Sequence, residues 1–262
     1  MKAIILAAGE GKRLQPLTND KPKCLVELFG QSLLEHQINI FKNCNIDDIS
    51  VVTGYKNELI NFKNVHYYQN PNYQITNMVE TLFCAESSLK NNVIISYGDI
   101  IFEKKVLKKL IESKNDISII IDLNWKKYWN ERFDNPLNDA ESLVLDNDSF
   151  IRDIGQKISN YENIQGQYIG LMKFQNEGIN ALHSFYKKSK FNSTKKNVLN
   201  PNLPFSQSYM TDLLQGMIHS GYKIKGIPIS GGWLELDSLN DYELYNKKYS
   251  NGTLSDFITL KK

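Results

Sequence analysis

The first 123 residues alternate short, β-branched apolar runs with amphipathic helical patterns, and few architectures accept that alternation. "KAIILAA", "DISVVTG", "VHYYQ", "NVIISYGD" and "DISIIIDL" read as strands. Between them "SLLEHQINIFKNC", "MVETLFCAESSLK" and "EKKVLKKLIESK" space apolar residues at three and four, as crossover helices do. Strands covered on both faces pair mostly in parallel, and right-handed crossovers fix the layering. The expected fold is α/β: a Rossmann-like, mixed but mostly parallel sheet between helices. After about Asn124 the pattern changes. "ESLVLDNDSFIRDIG" predicts a hairpin, "GQYIGLMKF" a strand and "NEGINALHSFYKKS" a helix, together a smaller lobe over the sheet's edge. The polar, proline-bearing "KFNSTKKNVLNPNLPFSQS" reads as a loop or insertion.

A chain of 262 residues can bury one sizeable core, so one domain is the default. Its 31 basic and 29 acidic residues leave a formal charge of +2, which gives neither a nucleic-acid nor an anionic-membrane footprint. Any cationic function must be local. Cys24, Cys44 and Cys84 are far apart and form no CxxC pair, so buried structural thiols are expected. His36, His66, His183 and His219 share no ligand spacing. The apolar run after Met1 is too short for a membrane span or a signal peptide, which points to a reduced, cytoplasmic protein.

In an open α/β sheet, ligands bind beyond the carboxyl ends of the strands. Two segments belong there. The opening "MKAIILAAGEGKRLQPLTNDKPKCLVEL" follows its strand with Gly9 and Gly11, which allow close backbone approach, and with Lys12, Arg13, Lys21 and Lys23. The strand in "ISYGD" ends at Asp99, a carboxylate suited to Mg²⁺, which prefers oxygen ligands and substrate phosphates. Taken singly, a glycine turn with solvated lysines and a helix-capping aspartate explain these segments as well.

Together, in this order and spacing, they resemble the nucleotidyltransferases that join a nucleoside triphosphate to a small phosphorylated acceptor and release pyrophosphate. That family's strand, AAGxGxRL-type loop and PK stand here as "LAAGEGKRLQPLTNDKPKCL", Leu6 to Leu25, with Lys12 in place of the commoner small or hydroxylated residue. The resemblance implies nucleotide contacts from Leu6, Ala7, Ala8, Gly9, Glu10, Gly11, Lys12, Arg13, Lys23 and Gly98. It adds Asn77 and Glu80 from "NPNYQITNMVETLFCA", similar to the base-binding loop. "GGWLELDSLNDYE" resembles the W-x-E-x-D element of the small-acceptor branch, which makes Asp237 the second Mg²⁺ ligand beside Asp99. Strand alternation would put Trp233, Glu235 and Asp237 on one face. "IRDIGQKISNYENIQGQYIGLMKF" is similar to the strand with a substrate-phosphate lysine followed by GEYIGL. This maps to Lys157 and to Gly166, Tyr168 and Gly170, with Gln167 where the family has Glu.

By the same resemblance Arg13, Lys23 and Lys157 are the catalytic cations, and Lys157, Gln167, Tyr168, Tyr209, Asp212, Trp233 and Glu235 bind the acceptor. Trp125, Tyr128, Trp129, Tyr168, Tyr209 and Trp233 could cage a quaternary ammonium, although each has a hydrophobic-core reading. The implied fold is nucleotide-diphospho-sugar transferase-like. A single domain would divide into a nucleotide-binding core (1–123), a smaller acceptor lobe with insertions (124–232) and a returning metal-site element with a C-terminal helix (233–262). The implied substrates are CTP and a small phosphorylated amine or amino acid, with phosphoglutamine slightly ahead of phosphocholine and 2-aminoethylphosphonate. The CDP-linked product would serve cell-surface polysaccharide modification, with no nucleic acid or membrane partner; a homodimer stays open. Two alternatives remain: a sugar-1-phosphate nucleotidylyltransferase, which shares the opening loop and Asp99, and a non-catalytic nucleotide-binding regulator. Against the regulator stand Asp99, Asp237, Lys23 and Lys157, all present.

Overall fold

A computed structural model describes residues 1–260. Strand β1 (Lys2–Ala7) shows why the sheet is central: Ala3, Ile5 and Ala7 enter one core layer, and Ile4 and Leu6 enter the layer on the opposite face. A two-residue hairpin, β2 (Glu27–Leu28) and β3 (Gln31–Ser32), leads into α1 (Leu33–Asn43). Ser32 caps that helix, accepting from the Glu35 amide at 3.2 Å. Strands β4 (Asp48–Thr53) and β5 (His66–Gln69) extend the sheet on one side of β1. On the other side, α2 (Met78–Cys84) precedes β6 (Val93–Tyr97), which pairs with β1 in parallel. The short β7 (Ile100–Phe102), α3 (Lys104–Glu112) and β8 (Ile117–Asp122) complete the expected βαβ succession.

Beyond α4 (Trp125–Arg132), the hairpin β9 (Glu141–Leu145) and β10 (Ile151–Lys157) packs on α6 (Met210–His219), with Leu143, Ile151 and Ile154 buried in the core. Strand β11 (Gln167–Phe174) and α5 (Glu177–Asn192) lie between the hairpin and α6 in the chain; β12 (Lys225–Ile229), β13 (Trp233–Glu235) and α7 (Leu239–Ser250) follow. The main sheet has seven strands in the order β12-β8-β11-β6-β1-β4-β5, with β11 antiparallel to both neighbours and the remaining pairs parallel.

Two expectations change. Residues 124–232 do not form a lobe beside the sheet, because β11 lies inside it and β12 at its edge. The reason is burial: seven of the eight β11 residues are buried, so the strand needs cover on both faces. Strand β13 ends at Glu235, so Asp237 stands in the turn before α7 and strand alternation does not fix its direction. The polar stretch 190–208 begins as the last turn of α5 before it becomes loop. Of the cysteines, Cys24 is buried and Cys44 and Cys84 are half-buried. No helix among the described residues is long and apolar enough to cross a membrane.

Gly170 lies in an irregular stretch of the β11 register at φ +81, where a Cβ would stand 2.4 Å from the Tyr97 ring. Gly170→Ala is expected to destabilise the protein by about 2 kcal/mol through positive-φ strain and overpacking. Urea unfolding measures it, and an unchanged midpoint would contradict this account of the irregularity.

Candidate active site

The opening loop leaves β1 at the carboxyl edge of the sheet. Gly11 is left-handed (φ +71), and its carbonyl accepts from the Thr18 hydroxyl at 2.8 Å. A Cβ on Gly11 would come within 2.8 Å of the Lys23 Cβ. Gly11 therefore does more than expose backbone: its missing side chain is the space through which Lys23 runs. Around Gly9 a Cβ would meet nothing within 4 Å, so the backbone there is open.

Asp99 is held from two directions. The buried Gln37 of α1 donates to the carbonyls of Tyr97 and Ile100, both at 2.8 Å, and accepts from the Ser96 hydroxyl, clamping the strand end that carries Asp99. The Asp99 carbonyl accepts from the Leu236 amide at 2.9 Å, and Glu235 stands opposite Ile100 in the β7–β13 pair. That pairing delivers Asp237 to the same spot. Lys23 Nζ then lies 2.8 Å from Asp99 Oδ2 and 3.0 Å from Asp237 Oδ1. Arg13 Nη2 lies 2.6 Å from Asp237 Oδ2. Burial disfavours the Lys23 ammonium, but Asp99 and then Asp237 outweigh it, and its pKa is raised. Glu235 stands close by, its carboxyl pushed up by burial despite the Arg132 guanidinium.

The turn bearing Asp237 is braced from α4. The Arg132 side chain is 1% exposed and forks onto Asp241 at 2.8 and 3.2 Å while reaching Glu235 at 2.9 Å. Asp241 Oδ2 in turn accepts from the amides of Asp237 and Ser238. The sequence reading missed Gln37, Arg132 and Asp241; only Asp241 had a local signal, the Ser238–Asp241 capping box.

Leu6, Ala7, Ala8, Gly9, Lys23, Asn77, Gly98 and Asp99 line one cavity of about 140 Å³. Asn77 also caps α2, its side chain accepting from the Met78 amide. Glu10 and Lys12 pair with each other at 3.2 Å. Glu80 is a correction: it binds Lys190 and the Tyr186 hydroxyl, because its place on α2 points it at α5. Lys157, Tyr209 and Asp212 line a larger cavity of about 900 Å³, between the hairpin, α5 and α6. Gln167 is another correction, being buried with its amide bonded to the Glu141 backbone. It ties β9 to β11 in place of facing that cavity. Trp233 is 2% exposed and donates to the buried Asp122. Trp125, Tyr128 and Trp129 are buried with it, so these four rings form core and no cage. The half-buried Tyr168 packs edge-on to Tyr97.

Asp99 Oδ1 is buried with no hydrogen-bond partner. An orphaned carboxylate oxygen beside a second carboxylate fits a hard divalent cation that takes one or two protein carboxylates and completes its shell from substrate phosphates. Among the described residues no group of three His, Cys, Asp or Glu could hold a metal by itself. The pair suits a cation shared with a phosphate ligand.

Comparison with known proteins agrees with this geometry. Residues 3–130 match the MobA-like NTP transferase domain. Over 259 residues, 95% of this chain and the whole of the relative, the sequence is 39% identical to the CTP:phosphoglutamine cytidylyltransferase of Campylobacter jejuni. The chain belongs to the nucleotidyltransferase family. This nucleotidyltransferase also shares its fold with the CTP:phosphocholine cytidylyltransferase of Streptococcus pneumoniae (TM-score 0.70, 21% identity, 95% of this chain and 98% of that one). A second structural neighbour is the inositol-1-phosphate CTP transferase of T. maritima (TM-score 0.72, 19% identity, 99% and 98%).

Replacing Arg132 with Met strands buried carboxylates and is expected to cost about 3–5 kcal/mol in urea unfolding, whereas Arg132→Lys, charged but without the fork, should recover only part. Full stability in both variants would remove the brace. In the cavity wall, crowding by neighbouring atoms, with Asp139 and Asp212 nearby, pushes the Glu141 carboxyl up to about 7, although the side chain keeps contact with solvent, which screens the effect and keeps its share of stability small. A carboxyl raised on folding loses stability as pH climbs from its unfolded value through about 7. The Tm of the nucleotidyltransferase should therefore decline more between pH 5 and about pH 8 than that of Glu141→Gln; parallel profiles would contradict the shift.

Proposed function

We propose that the chain is a cytidylyltransferase that transfers the cytidylyl group of CTP to a small phosphorylated amine or amino acid, with phosphoglutamine the leading acceptor, and releases pyrophosphate. The observation that carries this reading is the convergence of Lys23, Arg13, Asp99 and Asp237 at the mouth of the glycine loop. The full-length similarity to a CTP:phosphoglutamine cytidylyltransferase supports the choice of nucleotide and acceptor. The product would serve cell-surface polysaccharide modification.

The chemistry is a substitution between anions. An oxygen of the acceptor's phosphoryl group attacks the α-phosphorus of CTP; that P–O bond forms as the bond to the β-phosphate oxygen breaks, and pyrophosphate leaves with the electron pair. No general base is required, because the attacking phosphoryl oxygen is already ionised near neutral pH. The protein's task is positioning and charge neutralisation. Open backbone at Gly9 and the small residues Ala7, Ala8 and Gly98 admit the nucleotide. Arg13 and Lys23 neutralise the triphosphate, and Lys157, on the wall of the larger cavity, would hold the acceptor phosphate. Nucleotidyltransferases of this family generally use a divalent metal. Here Asp99 and Asp237 would hold it, with Mg²⁺ the proposed ion, and it would supply further charge neutralisation.

The head group follows from what the larger cavity offers. Four of the six rings that could cage a quaternary ammonium are committed to the core. The wall instead carries Lys157, Glu141, Asp212 and Gln215, a cation, two acidic groups and an amide that suit the ammonium and carboxylate of an amino acid. The test is kcat/KM for phosphoglutamine, phosphocholine, 2-aminoethylphosphonate and a sugar 1-phosphate, each with four nucleotides and Mg²⁺, scored by pyrophosphate release. CTP with phosphoglutamine should lead, and Asp99→Asn should lower turnover by about 100-fold or more, the size of a lost electrostatic catalyst. A sugar 1-phosphate ahead of the other acceptors would overturn the reading.

A further inference from the structure

Lys23 and Arg13 are held by the same carboxylates that the proposed function assigns to the metal. Lys23 Nζ touches Asp99 Oδ2 and Asp237 Oδ1, and Arg13 Nη2 touches both oxygens of Asp237. Three of the four carboxylate oxygens thus carry an internal cation. The fourth, Asp99 Oδ1, is the buried, unpartnered one. The two basic side chains differ in their freedom: Arg13 is 70% exposed, whereas Lys23 is 13% exposed and wedged beside Gly11. A small divalent cation must approach these oxygens to roughly 2.1 Å, closer than an ammonium approaches, and two cations cannot share that space. The carboxylates also cannot lose Lys23 without a replacement, since two desolvated like charges would face each other. A triphosphate changes the balance by offering Lys23 and Arg13 other anions on the same side of the loop.

We propose that Lys23 is an internal counter-cation that blocks the Asp99–Asp237 pair until a triphosphate draws it away, so that cation and nucleotide enter the site as a coupled pair. This inference rests on the metal assignment made in the proposed function. In the nucleotide-free protein, the network of two cations and two carboxylates is neutral, with only Asp99 Oδ1 left unpartnered. Bare metal would gain that one oxygen but would have to displace Lys23 from the other carboxylate oxygens to reach the pair. Once Lys23 turns to the phosphates, the exposed pair has a deficit of positive charge that a divalent cation fills. Linkage makes the effect mutual: the factor by which nucleotide tightens the cation is the factor by which the cation tightens nucleotide. Lys23 would thereby keep the carboxylates paired while the site waits and supply the triphosphate's counter-charge once it arrives.

The test reads Mn²⁺ binding directly, by the loss of the free-ion electron paramagnetic resonance signal, with no turnover involved. Lys23→Met, of similar length and uncharged, should bind Mn²⁺ alone roughly tenfold more tightly than the unaltered protein, a factor typical of site coupling. A non-hydrolysable CTP analogue should then tighten Mn²⁺ less in the variant than in the unaltered protein. Lys23→Gln, polar but uncharged, should behave the same way and serves if Lys23→Met folds poorly. In both variants Mn²⁺ alone should raise the Tm more than it does in the unaltered protein. Equal Mn²⁺ affinities without nucleotide would overturn the blocking role. A gain that survives in a Lys23→Met, Asp99→Asn double variant would also overturn it, because the ion would then sit elsewhere and the metal assignment itself would fail. Equal affinities that still depend on Asp99 would sink the counter-cation alone and leave that assignment standing.

Discussion

The fold is organised around one charge problem: two carboxylates, Asp99 and Asp237, are brought together in a largely desolvated pocket, and a single ammonium makes that tolerable. At an effective dielectric of about 20, each contact between Lys23 and a carboxylate is worth on the order of 4 kcal/mol before desolvation is subtracted. Burial is the largest single effect on Lys23, and Asp99, Asp237 and the Asp99 hydrogen bond together outweigh it, so the Lys23 pKa rises. The three residues lie on three distant segments, 76 and 214 positions apart. The central sheet is the device that makes them neighbours. Strand β1 delivers the loop, β6 delivers Asp99, and the β7–β13 pair returns the chain from its far end to deliver Asp237.

Each delivery has its own restraint. Gly11 leaves the channel for Lys23, and Gly98 lets the turn before Asp99 pass the Leu6 carbonyl, which a Cβ would approach to 2.6 Å. Gln37 reaches from a helix to hold the carbonyls on either side of Asp99. On the far side, Arg132 holds Asp241, and Asp241 holds the Asp237 turn by its backbone. The carboxylates are thus fixed through main chain, leaving their oxygens free to meet a cation. The proposed exchange of Lys23 for an external cation would need this arrangement, since carboxylates tied down by structural hydrogen bonds would have no oxygen to offer.

How much of this was legible followed from how local each signal was. Of the five strands read in the first half, β1, β4, β6 and β8 stood out because burial leaves nearly uninterrupted apolar runs, whereas β5 is a mostly exposed edge strand; each of the five lies where its run does, and the short β2, β3 and β7 were not read. The Lys23 and Asp99 positions were legible because the loop and the strand end are contiguous motifs. Asp237 was found by resemblance, and its actual position in a turn could not be read from alternation, which stops with the strand at Glu235. Helix α4 went unread although Trp125, Tyr128, Trp129 and Arg132 recur at helical spacing, because aromatic residues there also suit a ligand cage. Strand β11 was recognised as a strand but misplaced in a separate lobe. An apolar run shows that a strand is covered; which neighbours cover it is a long-range fact.

The two cavities differ in the same way. The proposed nucleotide side draws on a few short segments, Leu6–Gly9, Lys23–Cys24, Gly98–Asp99 and the stretch from Tyr73 to Thr81, so contiguous motifs capture it. The larger cavity, the proposed acceptor side, is built from side chains on β9, β10, α5, α6 and the loop before α6. No single segment carries its chemistry, and the roles read from single positions there fared worst. Gln167 turned out to stitch two strands together, and Trp233 to anchor the core through Asp122. The physical reason is that a triphosphate is recognised by features any chain supplies, amide groups and a few cations. A head group must be matched by convergent side chains, whose convergence exists only once the hairpin, the two helices and the sheet have packed. Acceptor choice in such an enzyme is therefore a property of tertiary packing, and on the proposed reading the residues that decide it are to be sought on the walls of the larger cavity and not beside Tyr168 and Trp233 of the strands.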